Sequence, residues 1–244
     1  FLHLRKRSSF FIIMKKVLLL LIFIVFTGCV RHNVGVVGSK RMLISGNILN
    51  AENTPIENIS VIASGSEYDR LWARPAQMLG ESSTNASGEF SFVSLDTDNS
   101  FYGVSINHPN YQNYREEFIT IHYLDSIGSR GNSFELTNIQ LPKIQEFQVK
   151  LNNNSARNDT LFFEFSYSST EIYRKLREDS FDNSLRFQGE SEYWNRILPG
   201  EDEMTISAKT IENSNIQFYY KFSAEAVYDT INVEVSPENP VYEF

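Results

Sequence analysis

Side chains suited to redox, thiolate-metal or imidazole chemistry are scarce here: one cysteine, Cys29, and four histidines in 244 residues. Past the first few positions the histidines are His32, His108 and His122. None begins a His-Glu-x-x-His, the spacing that sets two imidazoles on one helix face for zinc. His108 precedes Pro109 in a loop, and His122 alternates outward from Ile121 and Tyr123, so both read as surface histidines rather than general bases. No Gly-x-Ser-x-Gly elbow and no phosphate-cradling glycine loop is present. Glu116-Glu117 and Glu201-Asp202-Glu203 sit beside turns, where charge is normally solvated. Asp96-Thr97-Asp98-Asn99-Ser100 alternates oxygen donors as calcium requires, but it lacks the glycine and bidentate glutamate of an EF-hand loop. Such a cluster is usually a loop joining two strands. No catalytic residue, metal or cofactor is expected.

Recognition is the better-supplied chemistry. The stretch Gly65 to Leu79 holds Tyr68, Arg70, Trp72 and Arg74, types enriched at binding surfaces, in what reads as a loop on a rigid scaffold. The alternative is that Leu71, Trp72 and Leu79 fold back over an open sheet end. Trp194, next to Tyr193, carries the same two readings and completes the set of candidate binding residues.

Cys29 has a distinctive setting. Met14-Lys15-Lys16 precedes the apolar run Val17 to Phe26, and Thr27-Gly28-Cys29 follows, which are the parts of a secretory signal peptide. The ending resembles a bacterial lipobox, with Phe26 in place of the usual leucine. That resemblance implies acylation of the Cys29 thiol and cleavage just before it. A transmembrane or buried core helix competes, but Lys15 and Lys16 leave too few apolar residues to cross roughly 30 Å of hydrocarbon. Residues 1–13 read as upstream sequence, with Met14 as the start. Loss of residues 1–28 removes five of 22 basic residues and leaves 17 against 30 acidic ones, a net charge of −13. Such a chain has little to offer nucleic acid or anionic lipid electrostatically. The membrane partner would be reached through the lipid alone.

Residues 29–41 read as the lipidated cysteine and a flexible tether. From there strand alternation dominates: Ile59/Val61/Ala63, Phe90/Phe92, Tyr102/Val104/Ile106, Ile119/Ile121/Tyr123, Phe134/Leu136. Pro142-Lys143 marks a boundary. Beyond it Phe147/Val149/Leu151, Leu161/Phe163/Phe165/Tyr167, Met204/Ile206/Ala208, Ile216/Phe218/Tyr220/Phe222 and Ile231/Val233/Val235 alternate again. One helix is expected near Ser168 to Glu178: Ser168 and Glu171 have capping-box spacing, Ile172 and Leu176 share a face, and Glu171/Lys175 and Arg174/Glu178 pair at i,i+4. The fold class is all-β, a sandwich over 42–143 followed by a second β-sandwich-like module over 144–244 with one short helix.

The first module carries a signature: Gly46 in its first strand, Pro55-Ile56, then Thr84-Asn85-Ala86-Ser87-Gly88-Glu89-Phe90, and Asn110-Tyr111. It resembles the carboxypeptidase regulatory-like family, which implies a transthyretin-like (prealbumin-like) seven-stranded sandwich. Pro55 should then lead an edge strand, Gly88 should close a hairpin with positive φ, and Asn110, where the family favours Gly, should tolerate left-handed φ. Residues 65–82 read as an insertion. Asp125-Ser126-Ile127, Asp159-Thr160-Leu161 and Asp229-Thr230-Ile231 resemble the O-glycosylation acceptor of Bacteroidetes envelope proteins, and equally ordinary turn chemistry. With no acidic run after Cys29, the expected place is the periplasmic side of the outer membrane. The expectation is a lipid-anchored, non-enzymatic binding or scaffolding protein for an envelope protein partner. Its rival is a glycan-binding lipoprotein in which Trp72 and Trp194 face sugar rings.

Overall fold

The computed structural model describes residues 35–66, 68–69, 72–73, 77–97, 101–125, 130–153, 159–177, 180–187, 190–201, 203–224, 226–238 and 241–243. The leader, Cys29, Arg70 and Arg74 lie outside them, and Tyr68 and Trp72 are described by backbone alone. Among these residues all the regular structure is strand. In chain order the strands are β1 (Val36–Leu49), β2 (Ser60–Ser66), β3 (Tyr68–Asp69), β4 (Trp72–Ala73), β5 (Gln77–Ser83), β6 (Glu89–Thr97), β7 (Phe101–Ile106), β8 (Thr120–Asp125) and β9 (Ser133–Gln140). The second half adds β10 (Ile144–Leu151), β11 (Leu161–Ser168), β12 (Glu171–Arg177), β13 (Ser180–Phe187), β14 (Glu190–Ile197), β15 (Met204–Ile211), β16 (Asn215–Lys221), β17 (Asp229–Glu234) and β18 (Val241–Glu243).

In the first half the sheet β6-β1-β9 shares one core with β8-β7-β2-β5, so seven strands make a sandwich and β3-β4 is a small hairpin beside it. The inward phases are those read from alternation: Val61 and Ala63, Phe90 and Phe92, Ile121 and Tyr123 all lie in that core, together with Ile44 and Ile48 of β1. Gly46 is required by contact, because a Cβ there would meet the Leu136 carbonyl oxygen at 2.1 Å. Gly88 takes φ +73°, and Asn85 Oδ1 accepts from the amides of Ser87 and Glu89 at 2.9 Å each, closing the hairpin. Thr84 Oγ1 accepts from Ile59 N at 2.9 Å and donates to Ile56 O at 2.7 Å, tying that corner to the Pro55 segment.

Several expectations are corrected. Pro55 forms an isolated bridge with Leu49, and the strand it precedes, β2, is interior, between β5 and β7. Asn110 is not left-handed; Asn107 and Asn113 are, at φ +55° and +65°. Asn107 is fully buried and its amide nitrogen donates to the carbonyls of Arg115, Phe118 and Ile119, while its Oδ1 accepts from Arg115 N. A glycine could adopt the turn but could not pin the loop this way. Residues 36–41, read as tether, belong to β1, where Lys40 bonds Asp96 at 2.8 Å. Residues 77–82, read as insertion, belong to β5, with Leu79 in the core.

The expected helix is also a strand. β12 pairs parallel with β8, Tyr173 opposite His122 and Arg174 opposite Tyr123, and β13 extends the sheet further. The reason lies in the spacing. Ile172 and Leu176 are four apart, which is one helical turn and also two strand repeats, so the pattern suits both periods. The unpaired edge of β8 decides the matter, since tertiary pairing outweighs a weak local preference. Leu176 is buried in the first core. The side-chain oxygen of Ser169 accepts from Glu171 N at 3.1 Å, a turn at the strand start rather than a helix cap.

The second half builds two sheets, β14-β11-β16-β17 and β15-β10-β18, around Phe147, Phe163, Phe165 and Phe218. Stacked pairs such as Phe165–Tyr193 (5.2 Å) and Phe218–Tyr220 (5.8 Å) run through this core. Because β11 and β14 pair antiparallel, with Ser168 opposite Glu190, the span from Leu161 to Ile197 is one long hairpin. Its base lies in the second sandwich and its tip, β12-β13, completes the sheet of the first.

Candidate functional site

Three groups of polar or aromatic side chains stand out, and they behave differently. The first is buried. Arg130, with only 1% of its side chain exposed, bonds Asp96 Oδ1 at 3.0 Å and Asp125 Oδ2 at 2.9 Å, and its guanidinium lies 5.2 Å from the Tyr102 ring centre. Lys40 bonds the other oxygen of Asp96 and donates to the Arg130 carbonyl. Both oxygens of Asp96 are thus held by protein cations; Asp98, Asn99 and Ser100 of the calcium reading lie outside the described residues. Among the described residues no cluster of three His, Cys, Asp or Glu is arranged to hold a metal.

The second group lies on the outer face of the six-stranded sheet. His122 does point outward, as alternation requires, but it is not an ordinary surface histidine. Tyr173 of β12 stacks on it at 4.8 Å and 22°, His108 meets it edge-on at 5.5 Å, and Ser105 Oγ lies 2.9 Å from its Nδ1. Tyr111 closes on His108 at 5.1 Å, and Asn110 N donates to His108 Nδ1. Burial pushes the His122 imidazole below its ordinary pKa, the neighbouring His108 pushes it further, and Glu171 partly opposes both. His108 is lowered by burial too, against Glu171. The serine–histidine contact is a cross-strand pair in a sheet, with a ring laid over the imidazole. Two open clefts, of about 480 and 470 Å³, lie elsewhere among the described residues: one is lined by Ser45, Asn47, Glu89 and Glu135, the other by Gln145, Phe147, Lys209 and Val241.

The third group is open. Trp194 projects from the edge strand β14 with 80% of its surface exposed. Across the sheet Glu164 stands opposite it, then Tyr219, then Thr230. The neighbouring row is Arg196, Phe162 and Lys221. The inward neighbours Phe163, Phe165, Tyr193 and Phe218 are locked in the aromatic core, so the outward row rests on a packed base. Lys221 Nζ lies 4.5 Å from the Tyr228 ring centre and 5.9 Å from that of Phe162, and the Tyr219 hydroxyl donates to Gln217 Oε1 at 2.8 Å.

No protein-family model matches the chain, and no curated protein is similar to it. Among solved structures it is similar to a streptococcal ancillary pilin (6% identity over 85% of this chain and 62% of that one, TM-score 0.29). It is similar also to the shaft pilin SpaA of Lactobacillus rhamnosus GG (7%, 84% and 95%, TM-score 0.29) and to the tip fimbrial protein Mfa3 of Porphyromonas gingivalis (10%, 80% and 81%, TM-score 0.28).

Of the candidate binding and lipidation residues, Trp194 alone has a described side chain, and it is exposed. Tyr68 and Trp72 sit on the β3-β4 hairpin, Tyr68 opposite Ala73 and Asp69 opposite Trp72. Cys29, Arg70 and Arg74 lie outside the described residues. The sequence reading missed Phe162, Glu164, Arg196, Tyr219 and Lys221. Its signal was available: Phe162 and Tyr219 are aromatic at outward phases of strands whose inward phases are already apolar, a break in polar-out alternation.

Proposed function

We propose that this is a lipid-anchored, non-enzymatic protein of the cell envelope, tethered through Cys29 to the periplasmic side of the outer membrane. It is built from a carboxypeptidase regulatory-like sandwich over 42–143 and a second β module over 144–244. It recognises another envelope component through the outer face of the second module. The observation that carries the binding role is Trp194, left 80% exposed on a rigid sheet beside Tyr219 and Phe162. Tryptophan and tyrosine are enriched at interfaces, and this indole shares its row with Tyr219 rather than standing singly. The leader ending at Cys29 supports the address, and the covered His122 with both Asp96 oxygens occupied supports a non-catalytic role.

Cys29→Ala should move the protein from the membrane fraction to the soluble periplasm, and a mutant retained in membranes refutes the anchor. Affinity capture of the full chain from detergent-solubilised envelope, compared with the same capture by Trp194→Ala, tests the face. Indistinguishable captures would remove Trp194 from recognition.

A further inference from the structure

We infer that the Trp194 face binds an acidic glycan, a chain of pyranose rings bearing carboxylates; this rests on the proposed binding role and names its ligand. Neighbouring strands are about 4.8 Å apart, so Trp194 and Tyr219, two strands apart with Glu164 between them, are separated by roughly 10 Å. That length takes two pyranose rings side by side. A sugar presents an apolar C–H face and a rim of hydroxyls, and this row presents an indole, a carboxylate and a phenol in that order. The ring stacks on Trp194 while its hydroxyls donate to Glu164.

The same carboxylate argues against a protein partner. A stable protein interface buries about 800 Å² on each side, and Glu164 would sit unpaired beneath it, a costly arrangement in a dry contact. A hydroxylated ligand supplies the missing donors.

The acidity of the ligand follows from the second row. Arg196 and Lys221 flank Phe162, and neither is ion-paired with a carboxylate among the described residues. On a chain with more acidic than basic residues, two cations sharing one row without a carboxylate partner form a local positive end. Arg196 is two residues from Trp194 on the same strand and the same face, about 7 Å along it. A ring centred on the indole therefore places a ring carboxylate within reach of the guanidinium, along the strand rather than across it toward Glu164.

The test is calorimetric titration of the full chain in detergent with polygalacturonate and alginate oligomers, and with methyl-esterified polygalacturonate, which keeps the ring and removes the charge. At least one acidic oligomer should bind and the ester should bind at least tenfold more weakly. Trp194→Ala should weaken acid binding at least tenfold with an unchanged circular dichroism spectrum. The double change Arg196→Gln and Lys221→Gln should abolish the preference for acid over ester. Equal binding of acid and ester overturns the charge assignment, and acid binding untouched by Trp194→Ala overturns the site. If no oligomer binds while envelope capture still depends on Trp194, the ligand is a protein: the glycan inference falls and the binding face stands. If that capture is independent of Trp194 as well, both fall.

Discussion

The six-stranded and four-stranded sheets each turn an outer face away from a hydrophobic core, and each carries aromatic rings there. On the first, His122 is covered by Tyr173, carried on the hairpin tip that pairs beside β8, and by His108 from the loop that Asn107 pins. On the second, no comparable ring covers Trp194 among the described residues, and it keeps 80% of its surface exposed. The residue types are similar, so the difference is one of connectivity. A ring with a later strand paired beside it becomes part of a joint between sandwiches, and a ring on a free edge strand stays in water. The interiors differ as well: the first is largely aliphatic with a charged knot at one end, the second a set of stacked aromatic rings.

The charged knot should give the largest effect. Arg130→Met leaves Asp96 and Asp125 buried or half-buried with their main cation gone. Breaking a buried pair on one side costs about 3–5 kcal/mol, so the denaturant midpoint should drop by a large fraction of a typical stability. A loss near zero would mean that Lys40 alone neutralises the site. Removing the joint should cost less. Tyr173→Ala loses a half-buried ring and its stacking on His122, roughly 1–2 kcal/mol together. The loss should appear as faster amide exchange in β12 and β8, with β11 and β14 unchanged at their Trp194 ends. Uniform acceleration across both sandwiches would show that the hairpin is not a separable joint.

The same joint should respond reversibly to acid. Both imidazoles are held below their ordinary pKa in the folded chain, chiefly by burial. The unfolded chain therefore takes up protons first as pH falls through the ordinary value near 6.5. Folding stability should be level above that value, decline below it, and flatten once the folded imidazoles are also charged. The groups facing the pair are Ser105, Tyr111, Glu171 and Tyr173, and of these Glu171 alone works against the decline. Denaturation midpoints at pH 8, 7, 6 and 5 should show the decline in the native chain and a shallower one in His122→Gln. An equal slope in both would acquit the histidines.

Much of this arrangement was legible in the chain, because burial on one face of a strand imposes a period of two. Ile121 and Tyr123 inward with His122 outward, Phe90 and Phe92 in the core, and Gly88 at positive φ all followed from spacing and turn chemistry. What escaped was set by pairing across distance. The Ile172–Leu176 interval fits a helix and a strand equally, and only the free edge of β8, fifty residues earlier, selects between them. Left-handed backbone at Asn107 rather than Asn110 depends on which carbonyls surround the side chain. Trp194 was visible as a residue type. Its companions Tyr219 and Lys221 come from β16 and Phe162 and Glu164 from β11, and no local pattern places them in adjoining rows.

The smallest expected effect sharpens the contrast most. Trp194→Ala removes the largest exposed ring in the second sandwich, yet the side chain is mostly in water in the folded state as it is in the unfolded one. Little apolar area changes its environment on folding, so the stability change should stay within about 0.5 kcal/mol. Tyr193, the preceding residue, faces inward and stacks on Phe163 and Phe165. Tyr193→Ala should therefore cost several-fold more, although the two side chains share a strand and adjacent positions. Equilibrium unfolding of the two variants side by side separates a ring that holds the fold from one that the fold holds out. A loss above about 1 kcal/mol for Trp194→Ala would mean the indole packs down on the sheet, and the open face would then be another covered one.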